Sequence, residues 1–145
     1  MEVVGENDGF VNKFLGDGFM AVFGAPLDDP YAAEHAVQAS TELLARLDML
    51  IEQEKIPPTQ VSMGIHLGMA LTGTVGTEQR KEYTVIGDAV NTAARVEALN
   101  RPYNSILLVT QAVVEAAPKA CAYAKCLGTA QVKGKETEVI IYQLA

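Results

Sequence analysis

The stretch from Asn12 to Gly24 constrains the chain most. Two β-type runs, Gly9–Leu15 and 19–23, are joined by Gly16-Asp17-Gly18. Glycines on both sides of an Asp accept positive φ at little cost, so the segment reads as a tight hairpin. Its tip carries a carboxylate, Asp17, and four residues earlier stands an ammonium, Lys13. A carboxylate on a rigid tip suits a hard cation such as Mg²⁺, which takes oxygen donors and often only one or two protein carboxylates. Asp is also a common turn former. The hairpin alone favours that plain reading; the residues downstream reverse it.

A chain of 145 residues fits one domain, 1–145, with a sizeable core. Its net charge of −7 argues against a nucleic-acid partner, since phosphate backbones want a basic face. A small phosphate ligand needs only a few local cations and stays open. No apolar run reaches bilayer-spanning length, so direct membrane insertion is not expected. The acidic N-terminus is unlike a signal peptide. Cys121 and Cys126 lie five residues apart, on opposite faces of one expected strand, so they read as unpaired thiols of a reducing compartment, the cytoplasm. No clustered Cys or His supports zinc. His35 and His66 read as structural or surface residues.

After the hairpin, Asp29 and Pro30 read as cap and first position of a long amphipathic helix, residues 31–54. Ala33, Ala36, Val37, Ser40, Leu44, Leu47 and Ile51 form its apolar stripe. Pro57 and Pro58 break it. Residues 61–75 read as one glycine-punctuated strand, whose glycines mark bulges or close backbone approach. A polar loop with Arg80 and Lys81 leads to a short strand, 83–87. Asp88 is placed to cap the helix 89–100. On that helix Asp88, Asn91 and Arg95 recur at three- and four-residue steps, one polar stripe. Most such stripes are solvated faces, yet Asn is a poor interior helix former and hints at a hydrogen-bonding task. A turn at 100–104, a strand at 105–109, a short helix 111–116 capped by Thr110, a strand over 120–132, a tight turn with Lys133 and Lys135, and a strand over 139–144 complete the chain. Alternating strands and helices of this kind predict an α+β sandwich, helices packed on a largely antiparallel sheet.

Four segments in this order resemble the class III nucleotidyl cyclase catalytic domain of bacterial type. They are Asn12 to Gly24; Gly64-Ile65-His66-Leu67-Gly68 with Gly73 and Gly76; Tyr83-Thr84-Val85-Ile86-Gly87-Asp88-Ala89-Val90-Asn91-Thr92-Ala93-Ala94-Arg95-Val96-Glu97; and Val132-Lys133-Gly134-Lys135. The resemblance implies a ferredoxin-like nucleotide cyclase α/β sandwich. It implies cyclisation of ATP to 3′,5′-cyclic AMP with release of pyrophosphate, two metal ions (Mg²⁺ or Mn²⁺) per site, and a homodimer whose sites are built from both chains. By position, Asp17 is similar to a metal-binding carboxylate. Lys13 matches the adenine-reading position, typically Glu in guanylyl cyclases. Thr84 matches its partner in base recognition, where many members carry Asp. Asn91 is similar to the ribose-positioning Asn. Arg95 is similar to the Arg that stabilises charge on the α-phosphate. Lys133 or Lys135 resembles the lysine that binds the terminal phosphates, and Arg80 or Lys81 offers a further phosphate contact.

One departure stands out. The family carries a first metal-binding Asp on an upstream strand, in a pattern like Phe-x-Asp-Ile-x-Gly-Phe-Thr. None of the sixteen residues before Asp17 fits it. Asp8 sits in a loop context and is not assigned. The expectation is therefore an N-terminally truncated cyclase domain, whose activity by itself is in question. Its rivals are a guanylyl cyclase, and a catalytically incomplete nucleotide-binding or regulatory domain that completes its site with another chain.

Overall fold

The computed structural model describes residues 2–77, 80–131 and 138–145, apart from the side chains of residues 75 and 80–82. The chain runs α1 (Glu2–Glu6), β1 (Gly9–Leu15), β2 (Gly18–Phe23), α2 (Ala32–Glu52), β3 (Met63–Ile65), β4 (Leu71–Thr77), β5 (Arg80–Ile86), α3 (Asp88–Ala98), α4 (Asn100–Tyr103), β6 (Leu107–Thr110), α5 (Gln111–Ala116), β7 (Lys125–Gln131) and β8 (Glu138–Gln143). Four strands form the central sheet in the order β3-β6-β8-β7. The β3–β6 pair is parallel and the other two are antiparallel. The hairpins β1–β2 and β4–β5 are separate two-stranded ladders.

The core forms on both faces of β6, because an apolar run in a covered strand buries every residue rather than alternate ones. Leu107, Leu108, Val109 and Thr110 are all buried. Val109 faces α2 and α5, packing with Ala33, Val37, Val113, Ala117 and Cys121. Leu108 faces α3, packing with Val96, Ala130 and Ile141. The α+β sandwich read from the sequence is thus observed, with helices covering both sides of the sheet.

Several local expectations are corrected. The hairpin turn needs positive φ only at Gly16, at 60°; Leu15 pairs with Gly18 across it. Pro30 does not begin α2. The Asp29 carboxylate instead accepts from the Tyr31 N–H at 2.9 Å, so the helix opens two residues later. The expected strand over 61–75 is two strands. At 66–70 the chain leaves the sheet, with the His66 ring held 2.9 Å from Thr110 Oγ1. Thr110 therefore spends its hydroxyl on His66 and makes no side-chain cap on α5. Asp88 is the first residue of α3 rather than its cap. Gly87 holds the cap position at φ 141°, which side-chain-bearing residues rarely adopt. Residues 100–104 are not a plain turn but the one-turn α4, ended by Asn104 in the left-handed region. Residues 118–123 are turns, not strand, because Cys121 and Ala124 N–H groups bond back to Ala117 and Cys121 carbonyls. Cys121 is buried there and Cys126 is exposed on β7; both thiols are free, although not as faces of one strand.

The glycines of β3 and its exit mark close approach, and the neighbour is a helix. A Cβ at Gly64 would meet the Glu97 backbone, and one at Gly68 would lie 3.0 Å from Ala89 Cβ. Asn100 completes this packing. It is buried and donates to the Met63 and Glu97 carbonyls at 2.8 and 2.9 Å, while its Oδ1 accepts from Ser105 Oγ at 2.8 Å. All three bonds satisfy a polar group that would be costly to bury unpaired. Together they fasten the end of α3 to β3.

Candidate active site

β1 holds seven residues and β2 six, and the difference is a bulge. Pairing jumps from Val11↔Ala21 to Lys13↔Met20, leaving Asn12 as the extra residue. Cross-strand partners share a face, and Met20 and Ala21 lie on opposite faces. The bulge therefore puts Lys13 on the face opposite Val11, the face of Phe10. Without it, Lys13 would share Val11's face. Phe10 meets Tyr83 of β5 edge to face, ring centroids 5.7 Å apart. Asn12 Nδ2 donates to the Tyr83 carbonyl at 3.0 Å. Lys13 thus lies on the side of the hairpin turned toward β5.

Thr84 follows Tyr83 and faces the other way, with Ile86. Its cross-strand partner is Gly73, and that of Ile86 is Leu71. Thr84 is half-buried, next on that face to the cross-strand pair of Leu71 and Ile86, both largely exposed. β5 passes through Gly87 directly into α3. On that helix Thr92 and Val96 are buried, which turns Asn91 and Arg95 outward on successive turns. The predicted polar stripe is observed as an exposed face. The structure thus gathers the strands of Lys13 and Thr84 and the helix of Asn91 and Arg95 into one run of contacts.

Asp17 stands apart, at the hairpin tip. Lys13, Asp17, Asn91 and Arg95 are exposed and enter no side-chain hydrogen bond or ion pair seen among the described residues. A single exposed carboxylate on a tight turn fits one ligand position of a divalent ion that keeps much of its water. Lys133 and Lys135 lie outside the described residues, as do the side chains of Arg80 and Lys81.

Asp8 does not join Asp17. At the base of the hairpin, His35 Nδ1 lies 2.6 Å from Asp29 Oδ2 and 3.8 Å from Asp8 Oδ2, and the three ligand-type atoms lie within 4.8 Å. The Tyr31 N–H, and after it His35, hold the Asp29 carboxyl below its ordinary value. Sequence reasoning gave His35 no partner and gave Asn12 no role.

The family profile described as the adenylate and guanylate cyclase catalytic domain matches residues 2–145. "Adenylate cyclase 1" of Rhizobium meliloti (strain 1021) is 37% identical over 146 residues, covering 99% of this chain and 22% of that protein. "Adenylate cyclase" of Anabaena cylindrica is 34% identical over 149 residues, covering 99% of this chain and 29% of that one. The chain thus spans less than a third of the length of these curated relatives. Among solved structures, the adenylyl cyclase CyaB from P. aeruginosa superposes with a TM-score of 0.81 at 26% identity, covering 98% of this chain and 74% of that one. The guanylyl cyclase Cya2 superposes at 0.82 with 28% identity, covering 98% and 72%.

Proposed function

Because the chain belongs to the adenylate and guanylate cyclase catalytic domain family, we propose that it is an adenylate cyclase catalytic domain, a lyase that makes 3′,5′-cyclic AMP and pyrophosphate from ATP for intracellular signalling. The observation that carries this reading is the tie between β1 and β5. It sets the strand of Lys13 against the strand of Thr84, and β5 then delivers the helix of Asn91 and Arg95.

Each residue has a task that its chemistry suits. The Lys13 ammonium donates to a ring nitrogen of adenine, and the Thr84 hydroxyl accepts from the exocyclic amine. The flanking Leu71 and Ile86 give the flat purine an apolar surface. Asn91 holds the ribose so that its 3′-hydroxyl faces the α-phosphorus. The Arg95 guanidinium lies against the α-phosphate, where negative charge grows in the transition state. Lys133 or Lys135, with Arg80, contacts the outer phosphates. Asp17 would hold a divalent ion, Mg²⁺ or Mn²⁺, one of two in a complete site. When bound, such ions ease ionisation of the hydroxyl and neutralise the phosphates. Lys13, Asp17, Asn91 and Arg95 are open to solvent in a single protomer, which supports a homodimer with shared sites. Met69, Leu71 and Ile86 are apolar surface that a second copy would cover. Two unpaired thiols support a cytoplasmic location. No helix of the described residues is long and apolar enough to cross a membrane.

The test is cyclic AMP formation from Mn²⁺-ATP by the wild type, Asn91→Ala and Arg95→Ala, alone and mixed with a complete cyclase domain. Arg95→Ala is expected to lower kcat about 10²- to 10³-fold while KM changes little. Activity only on mixing supports a partner role for this chain, and preferential turnover of GTP supports guanylyl cyclase. A chain that neither binds nor cyclises ATP or GTP in either setting refutes the reading.

A further inference from the structure

We infer that Asn12 is a positioning residue for purine discrimination: its carboxamide, bound to the Tyr83 carbonyl, holds the strand of Lys13 in register with the strand of Thr84. The inference rests on the proposed base-reading roles of Lys13 and Thr84. The two strands belong to different hairpins and share no ladder. What joins them at this level is the Asn12–Tyr83 bond at 3.0 Å and the Phe10–Tyr83 ring contact. The ring contact is apolar and tolerates sliding. The amide bond is directional and fixes one position along β5.

Its location gives it leverage. Asn12 is the bulge residue itself, and the bulge alone turns Lys13 to the β5 side. Donor and reader are adjacent in β1, as acceptor and reader are in β5. Asn12 therefore adjoins Lys13 just as Tyr83 adjoins Thr84. Loss of the donor leaves the bulge without its outside anchor. Lys13 can then drift along β5, and its ammonium no longer meets the acceptor pattern that separates adenine from guanine. Overall nucleotide affinity depends on the phosphate contacts, so the base preference is what changes.

The experiment measures Kd of the full chain for Mn²⁺-ATP and Mn²⁺-GTP by calorimetry. It compares the wild type, Asn12→Leu (similar shape, no donor), Asn12→Gln (donor kept) and Lys13→Ala. Deuterium exchange over residues 9–15 and 80–86 is read in parallel. The wild type is expected to prefer ATP. Asn12→Leu loses about fivefold of that preference, the worth of one hydrogen bond, and its exchange rises in these two strands alone. Asn12→Gln restores the preference to within twofold. If Asn12→Leu does not melt cooperatively, Asn12→Ser, too short to reach the carbonyl, takes its place. An unchanged preference in Asn12→Leu beside a lost one in Lys13→Ala overturns the inference while base reading stands. So does an equal weakening of both nucleotides, which marks a purely structural residue. If the wild type and Lys13→Ala show the same preference, base reading itself fails and the inference falls with it.

Discussion

Gly64→Ala places a methyl group where β3 and α3 touch backbone to backbone. The new Cβ would fall on Glu97, 2.7 Å from its Cα, where ordinary contact begins near 3.4 Å. The Glu97 backbone nitrogen is closer still, and none of these neighbours is a side chain that can swing away, so the helix itself must retreat by about 1 Å. Overpacking of this kind costs about 2–3 kcal/mol, which for a chain of this size lowers Tm by roughly 5–10 °C. Asn91 and Arg95 ride on the same helix, and a displacement approaching 1 Å can cost about 10²-fold in rate. The assay is a thermal melt by circular dichroism, followed by cyclic AMP formation well below the variant's Tm. Gly5→Ala in α1, away from the site, is the internal control, since a Cβ there meets nothing within 4 Å and should lower neither reading. A Gly64→Ala melt within about 1 °C of the wild type refutes the packing argument. A lowered Tm with an unchanged rate refutes the link between helix position and chemistry.

Asn100→Ala removes a buried amide whose three bonds fasten α3 to β3; a loss of about 2–4 kcal/mol is expected in urea unfolding, with Asn100→Asp also destabilised because a carboxylate cannot donate to the two carbonyls. The folded-state pKa of Asp29 lies below its ordinary 3.8, chiefly through the Tyr31 N–H and secondly through His35. Its contribution is therefore present above that ordinary value and lost as pH falls through the lower folded one. The Tm gap between wild type and Asp29→Asn should stay constant above about pH 5 and close in stronger acid. Burial raises the Cys121 thiol, whereas Cys126 is exposed. Iodoacetamide should label Cys126 in the native protein and Cys121 only on unfolding, as read by mass spectrometry.

The readable parts of this sequence were those with local causes. The hairpin announced itself through Gly16-Asp17, and α2 through its period. The outward stripe of α3 followed from Asp88, Asn91 and Arg95. The misread parts depend on distant partners. Residues 66–70 left the sheet because Thr110, far along the chain, captures His66. Asn100 looked like a turn residue until Met63 and Ser105 supplied its bonds. Asp29 divides its carboxylate between the Tyr31 N–H on one oxygen and His35 on the other, a partner six residues on that its own neighbourhood does not announce. Of the candidate site, the proposed residues could be named from the sequence. Their mutual placement could not be, because it is set by the Asn12 bulge and by a bond to another hairpin.

β6 has one more consequence. Its neighbouring residues Leu108 and Val109 each anchor a different hydrophobic layer, so four residues serve as the shared wall of two cores. Such a wall cannot loosen on one side only. The amides of Leu107 to Thr110 should be among the last to exchange with deuterium, through global rather than local opening. Anything that unseats α2 or α5 on one face should then be felt by α3 on the other, which makes the melting of this domain a single event.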